Sequence, residues 1–344
     1  MSAAQLTILA LLAALTGYAL LGGADFGGGF WDLAAGAGTG QRAAERRRLI
    51  EHALGPVWEA NHVWLIFAIV LLWTGFPSVF AAIASTAYIP LTAAALGVIG
   101  RGSGFAFRKV STEYRYQRLF GAVFAFSSLA TPFFLGAVLG SVAAGRIPAG
   151  IASGGRLASW WSPTSIMAGV LAVGIGAHLA AVFLTGDAQR EAPHLVPVLR
   201  RDALIAGVAV GGLAVAGLLV IRLDAPELAR SLWRAPALVL VLTSMAAGLT
   251  SLVLLAARRY LAVRITAGLA AATVIWAWVA ASYPTLLPGV TVGSAAADPA
   301  VLHALLGACA VGAVVLVPSL GLLFAIFQRR PNSASSSDEH ITQP

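Results

Sequence analysis

Charge is what this sequence has least of. Of 344 residues only 10% are Asp, Glu, Lys or Arg, against about 25% in an ordinary soluble domain, while 59% are hydrophobic. That balance excludes a water-soluble globule. Cysteine is almost missing: Cys309 stands alone, which excludes a disulfide framework and any cysteine-built zinc or iron–sulfur site within the chain. Met1 to Gln5 carries no Lys or Arg, so the first apolar run lacks the basic leader of a secretory signal and is expected to be a retained helix.

What the chain has instead is apolar runs of about 20 residues, the length that crosses a bilayer as a helix. Nine are present, at 4–23, 53–75, 78–100, 116–141, 163–185, 202–221, 235–256, 265–283 and 300–327. The expected fold is an all-α integral membrane protein of about nine transmembrane helices, a single domain over residues 1–330. A polar, Ser-rich tail at 331–344 is expected to be disordered. Between Ala53 and Gly100 the one formal charge is Glu59, and Gly75-Phe76-Pro77 is the natural turn. The second and third helices are therefore expected to form a tight hairpin.

The net charge of +8 is topology, not a nucleic-acid signal. With nine helices, 17 of the 22 basic residues fall in loops on one side, including Arg46, Arg101, Arg108, Arg201, Arg264 and Arg330. By the positive-inside rule that side is cytoplasmic, the N-terminus lies outside and the C-terminus inside. Trp73, Trp160, Trp161, Trp233 and Tyr283 then all fall on the outer side, as an interfacial belt would. Pro90, Pro132 and Pro318 lie within runs and are expected to bend them. Gly136-x-x-x-Gly140 and Gly207-x-x-x-Gly211 have the spacing of close helix contacts.

Ionisable groups at membrane depth are costly, so each is a candidate for function. Glu59, in Pro56-Val-Trp-Glu-Ala-Asn-His-Val-Trp-Leu65, is the clearest, with His62 one turn deeper on the same face. A desolvated carboxylate beside a histidine is suited to passing protons. Alternatively Glu59 pairs with an arginine and holds two helices together. Asp25 lies in Gly22-Gly-Ala-Asp-Phe-Gly-Gly-Gly-Phe30, where the glycines permit a turn; it serves either a proton path or as a turn or N-cap acid. Asp32 is expected at the interface. The glycine run follows a membrane helix and lacks a Lys-Ser/Thr ending, so it is no phosphate loop. His178, alone at depth, is read as a satisfied core histidine, and His52, His194, His303 and His340 as solvated.

These residues together resemble a family. Gly-Ala-Asp-Phe-Gly at 23–27 after an apolar first helix, the Trp58-Glu-x-Asn61-x-x-Trp64 pattern, Gly75-Phe-Pro77, Arg101 with Phe105, Pro132, Tyr283-Pro284 and Val317-Pro318 are similar to subunit II of cytochrome bd-type quinol oxidases over essentially the whole chain. The resemblance implies two four-helix bundles plus a C-terminal helix, set in a bacterial cytoplasmic membrane. It implies a haem-bearing subunit I as partner, holding haems b and d, and no haem in this chain. Quinol is then the substrate of the complex, and the family leaves room for a small single-helix subunit and a bound quinone. It carries a cytoplasmic proton route onto Asp25 and Glu59, with His62 extending it and Trp58, Asn61, Trp64 and Arg101 in support. One departure stands out: Ala106, in Phe105-Ala-Phe-Arg108, takes the place of an acid common in the family. The alternatives are a secondary transporter, against which no matching pair of interrupted helices is present, and a purely structural membrane subunit.

Overall fold

The computed structural model describes residues 1–36, 41–54 and 58–328; the tail at 331–344 lies outside them. The described residues are mostly helical, with one short β-hairpin and an irregular connection at 144–162, as suits segments where no water is present to satisfy a lipid-facing backbone. The first helix is one continuous rod, made of α1 (Ala3–Gly17), a π-helical turn (Tyr18–Gly22) and α2 (Gly23–Gly36). Ser2 caps it and exchanges hydrogen bonds with Gln5. A short polar helix, α3 (Gln41–Leu54), follows, then α4 (Trp58–Gly75), α5 (Pro77–Thr86), α6 (Tyr88–Val110) and α7 (Tyr114–Ala143). The second half holds α8 (Pro163–Glu191), α9 (Val196–Asp224), the short α10 (Pro226–Leu232), α11 (Ala237–Ala256) and α12 (Tyr260–Ser282). Antiparallel strands β1 (Thr285–Leu287) and β2 (Val290–Thr291), one-turn α13 (Val292–Ala295) and α14 (Pro299–Gln328) complete it.

Among the described residues seven helices are long and apolar enough to cross a membrane, and α4 with α5 forms an eighth apolar unit bent by 117°. The expected turn at Gly75-Phe76-Pro77 is that bend, but no hairpin follows. Pro77 opens α5, and the helix breaks again at Ala87 before α6. Consequently α4 packs against α1 while α6 packs against α7. Pro90 stands in the first turn of α6 and bends nothing, since the missing N–H is unneeded there; Pro132 and Pro318 are inside α7 and α14.

Helices α8, α9, α11 and α12 pack in a closed ring of four. The first helix, α4, α6 and α7 form a second set, joined to the ring where α2 and α7 meet α8, and α14 lies against α1 and α4. Glycine permits the closest of these contacts. A Cβ on Gly27 would lie 2.0 Å from the Gly176 carbonyl oxygen, and one on Gly140 would lie 2.7 Å from the Ala168 Cβ. Gly211 faces open space, so of the two small-residue spacings only the one on α7 is used as a helix contact at both ends.

Contacts sort to two ends of the molecule. At one, Arg46 pairs with Asp202, Arg264 with Asp187, and His194 with Glu45. At the other, Ala297 donates its N–H to the Gly75 carbonyl, Gln5 bonds the Tyr283 hydroxyl, and Arg146 pairs with Asp224. Trp73, Trp161, Trp233 and Tyr283 are exposed at this second end, whereas Trp160 is buried against Phe134 with its indole N–H on the Arg156 carbonyl.

Candidate functional site

The glycine run around Asp25 makes no turn: α2 passes through it unbroken. Within a bilayer a helix tolerates glycine because leaving the helix would strand backbone groups, and here Gly23 and Gly27 let α2 lie directly on α8 at Gly176. Asp25 is thus a mid-helix acid, 4% exposed, neither cap nor turn. Its partner is Arg101 of α6, 1% exposed. Arg101 Nη1 donates to Asp25 Oδ2 and Nη2 to Oδ1, both at 2.8 Å; Nη2 also reaches the Asp25 carbonyl at 3.1 Å, and Nε the Ser128 hydroxyl at 3.1 Å. The guanidinium lies between the rings of Phe26 and Phe124, 5.0 and 5.1 Å from their centroids. A forked, planar cation matches a carboxylate in this way and a lysine would not.

Seven residues further along both helices the arrangement repeats. Arg108 Nη1 donates to Asp32 Oδ2 at 2.7 Å, and its Nη2 reaches Glu51 of α3. Asp32 is therefore buried by its partners. Because both rungs step the same way, α2 and α6 run parallel, with the rungs about 10 Å apart. Trp31 beside them donates its indole N–H to the Ala177 carbonyl at 2.7 Å and takes Arg46 over its ring at 5.3 Å. Ala106 is exposed on α6.

From the other side α4 closes the cluster. Asn61, 1% exposed, donates from Nδ2 to the Leu21 carbonyl in the π-helical turn at 3.2 Å. His62 sets its ring edge-on to Phe26, centroids 6.4 Å apart. Trp64 packs on Gly17, where a Cβ would come within 2.8 Å of the indole. The side chains of Trp58 and Glu59, in the first turn of α4, lie outside the described residues. Asp25, Arg101, His62 and Asn61 are thus brought together around the π-helical turn.

The arginine rungs at Asp32 and Glu51 were not expected, although their signal is in the sequence: Asp25 and Asp32, and Arg101 and Arg108, share one spacing. Buried His178 is held by the Ala203 carbonyl, 3.1 Å from Nδ1. His194, expected to be solvated, is exposed and also bonds Glu45 at 2.8 Å. Among the described residues no three His, Cys, Asp or Glu side chains cluster as metal ligands. A cavity of about 610 Å³ lies at the opposite end, bounded by Gln5, Leu9, Arg234, Trp276 and Tyr283, away from this cluster.

The sequence profile described as "Cytochrome bd terminal oxidase subunit II" matches residues 3–327. "Cytochrome bd ubiquinol oxidase subunit 2" of Bacillus subtilis is 30% identical over 203 residues, 58% of this chain and 59% of that protein. "Cytochrome bd-I ubiquinol oxidase subunit 2" of Escherichia coli is 27% identical over 176 residues, 49% and 45%. The chain thus aligns with about half of the length of these curated relatives. The solved bd oxidase of Geobacillus thermodenitrificans shares the fold with a TM-score of 0.76 at 12% identity, over 96% of this chain and 99% of the other. On the profile's near-complete coverage, the chain belongs to the cytochrome bd terminal oxidase subunit II family.

Proposed function

We propose that this chain is the haem-free subunit II of a bacterial terminal oxidase that oxidises quinol and reduces oxygen to water. Its partner is a haem-bearing subunit I, with which a small single-helix subunit can associate. The complex sits in the cytoplasmic membrane with the N-terminus of this chain outside and its C-terminus in the cytoplasm. Haems b and d, held by subunit I, supply the electron transfer and oxygen chemistry. This chain scaffolds that subunit and lines a proton route from the cytoplasm through Glu59, His62 and Asp25. Arg101 fixes the Asp25 carboxylate, Asn61 ties α4 to the π-helical turn, and Trp64 seats α4 on Gly17; Trp58 is assigned a supporting role to Glu59.

The observation that carries this is the row of buried acids on one face of the first helix, leading from the basic end of the molecule to His62. Acids at such depth are costly without a use. The test is the intact complex. Glu59→Ala is expected to depress quinol oxidase turnover about tenfold or more, as loss of a proton-transferring group does, and Glu59→Asp to retain more. Parental turnover in an assembled Ala variant would remove the proton route. A purely structural role is the second reading, favoured by the engagement of both Asp25 carboxylate oxygens with Arg101; the same variant separates the two.

A further inference from the structure

Asp32 and Asp25 stand seven residues apart on the first helix, and seven residues further back is Tyr18, the opening residue of the π-helical turn. Its ring lies over Gly22, where a Cβ would fall 2.9 Å from Cε2, and edge-on to Phe26 at 6.4 Å. The side chain therefore extends along the helix toward Asp25, and Asp25 and Arg101 are the charged groups that act on its hydroxyl. Tyr18 is 8% exposed, yet that hydroxyl has no hydrogen-bond partner among the described residues. Across the same turn, Asn61 anchors Nδ2 on the Leu21 carbonyl while its Oδ1 is equally buried and without a partner. Leaving a buried polar group without a partner is costly. Two at one helical turn, one able to donate and accept and the other to accept, mark a polar site, since a buried water takes two to four such partners.

We propose that Tyr18 and Asn61 hold a water molecule at the membrane-interior end of the stripe Asp32, Asp25, Tyr18, and that the Tyr18 hydroxyl relays protons through it. The inference rests on the proton-route reading and extends it past Asp25. An incoming proton from the side of Asp25 and His62 joins the water. The protonated water passes a proton to the Tyr18 oxygen as that hydroxyl releases its own to a second water molecule beyond it, so the first water and the phenol end as they began and the second water carries the proton on. Only O–H bonds form and break, and no electrons move. The π-helical turn widens the helix at this point, and Gly22 supplies the room a larger side chain would deny the phenol ring.

The test uses the assembled oxidase purified with its haem-bearing partner. Tyr18→Phe keeps the ring on Gly22 and Phe26 and removes one oxygen. Turnover is expected to fall about fivefold, the factor of one net hydrogen bond, with a larger solvent deuterium isotope effect and unchanged haem absorbance and thermal stability. Parental turnover and isotope effect in Tyr18→Phe, with Glu59→Ala impaired, would overturn the relay and leave the route intact. If both variants match the parent, the route itself fails. A fall in turnover accompanied by lost haem absorbance or stability would make the hydroxyl structural and overturn the relay too.

Discussion

Removing either member of the Asp25–Arg101 pair should cost far more than removing both. Asp25→Asn keeps the shape of the side chain but replaces two cation-to-carboxylate bonds with at most one from the cation to a neutral amide oxygen. Arg101 then retains the Asp25 carbonyl and the Ser128 hydroxyl and no counter-charge, in a site where its side chain is 2% exposed. Arg101→Met strands the carboxylate, at 3% exposure, in the same way. Breaking a buried pair from one side costs about 3–5 kcal/mol, most of it the penalty of the charge left behind. The double variant buries no charge, so its cost should fall short of the sum by about 3 kcal/mol, more than a hundredfold in an equilibrium constant. Arg101→Lys should recover only part, because an ammonium cannot serve two carboxylate oxygens and Ser128 in one plane. The assay is denaturation of the purified complex in detergent for all four forms, with assembly scored by haem absorbance. Strictly additive losses, or an Asp25→Asn protein as stable as the parent, would refute the assignment of this pair as the clamp between α2 and α6.

Two further outcomes follow from geometry. Gly27→Ala places a methyl 2.0 Å from a backbone oxygen of Gly176, which cannot swing aside; assembled complex is expected to be lost or destabilised by at least about 1–3 kcal/mol. Gly248→Ala on α11 meets nothing within 4 Å and should gain up to about 1 kcal/mol, so parallel expression of the two separates steric from propensity effects. At the basic end, the Glu45 carboxyl is held below its ordinary range, chiefly by the hydrogen bond from His194, then by Gln41 and the charge of Arg48. Its folded-state value is the lower one, so the stabilisation is present above the unfolded value near ~4.3 and disappears as pH falls through the folded one. Hydrogen exchange over residues 41–54, corrected for intrinsic rates, should accelerate between about pH 5 and pH 3; equal protection at both ends would dismiss the Glu45–His194 contact as a tether of α3.

The membrane helices were legible because hydropathy reports the solvent directly: each of the seven described helices long and apolar enough to cross overlaps one of the nine apolar runs. What hydropathy does not encode is where a helix bends or which neighbours it chooses. Gly75-Phe76-Pro77 marked a turn, but only packing shows that α4 and α6 part company there. The glycines at 22–29 misled for a related reason. In water such a run favours a loop, whereas in lipid the backbone stays helical and the missing side chains become contact surface. Asp25, Arg101, Asn61 and Trp64 were singled out by type and pattern, and each has a definite contact. The pairing of Asp32 was not legible, because a lone acid near a helix end shows no partner until the arginine across from it is known. Tyr18 escaped notice altogether: a tyrosine in an apolar helix is unremarkable until its hydroxyl proves to lack a partner.

The two parallel rungs also bear on how the chain enters the membrane. If α6 slid along α2 by four residues, Arg101 would face Gly29 or Leu21, and Arg108 would face Gly36 or Gly28. None offers a carboxylate. A slide of seven would restore one pair and strand the other arginine, after a displacement of about 10 Å in a hydrocarbon layer of about 30 Å. No near-miss depth is therefore comfortable, and two guanidinium groups cannot settle in lipid before their acids are present. The two rungs therefore set the register of α6 against the first helix twice over, at two depths that must be met together.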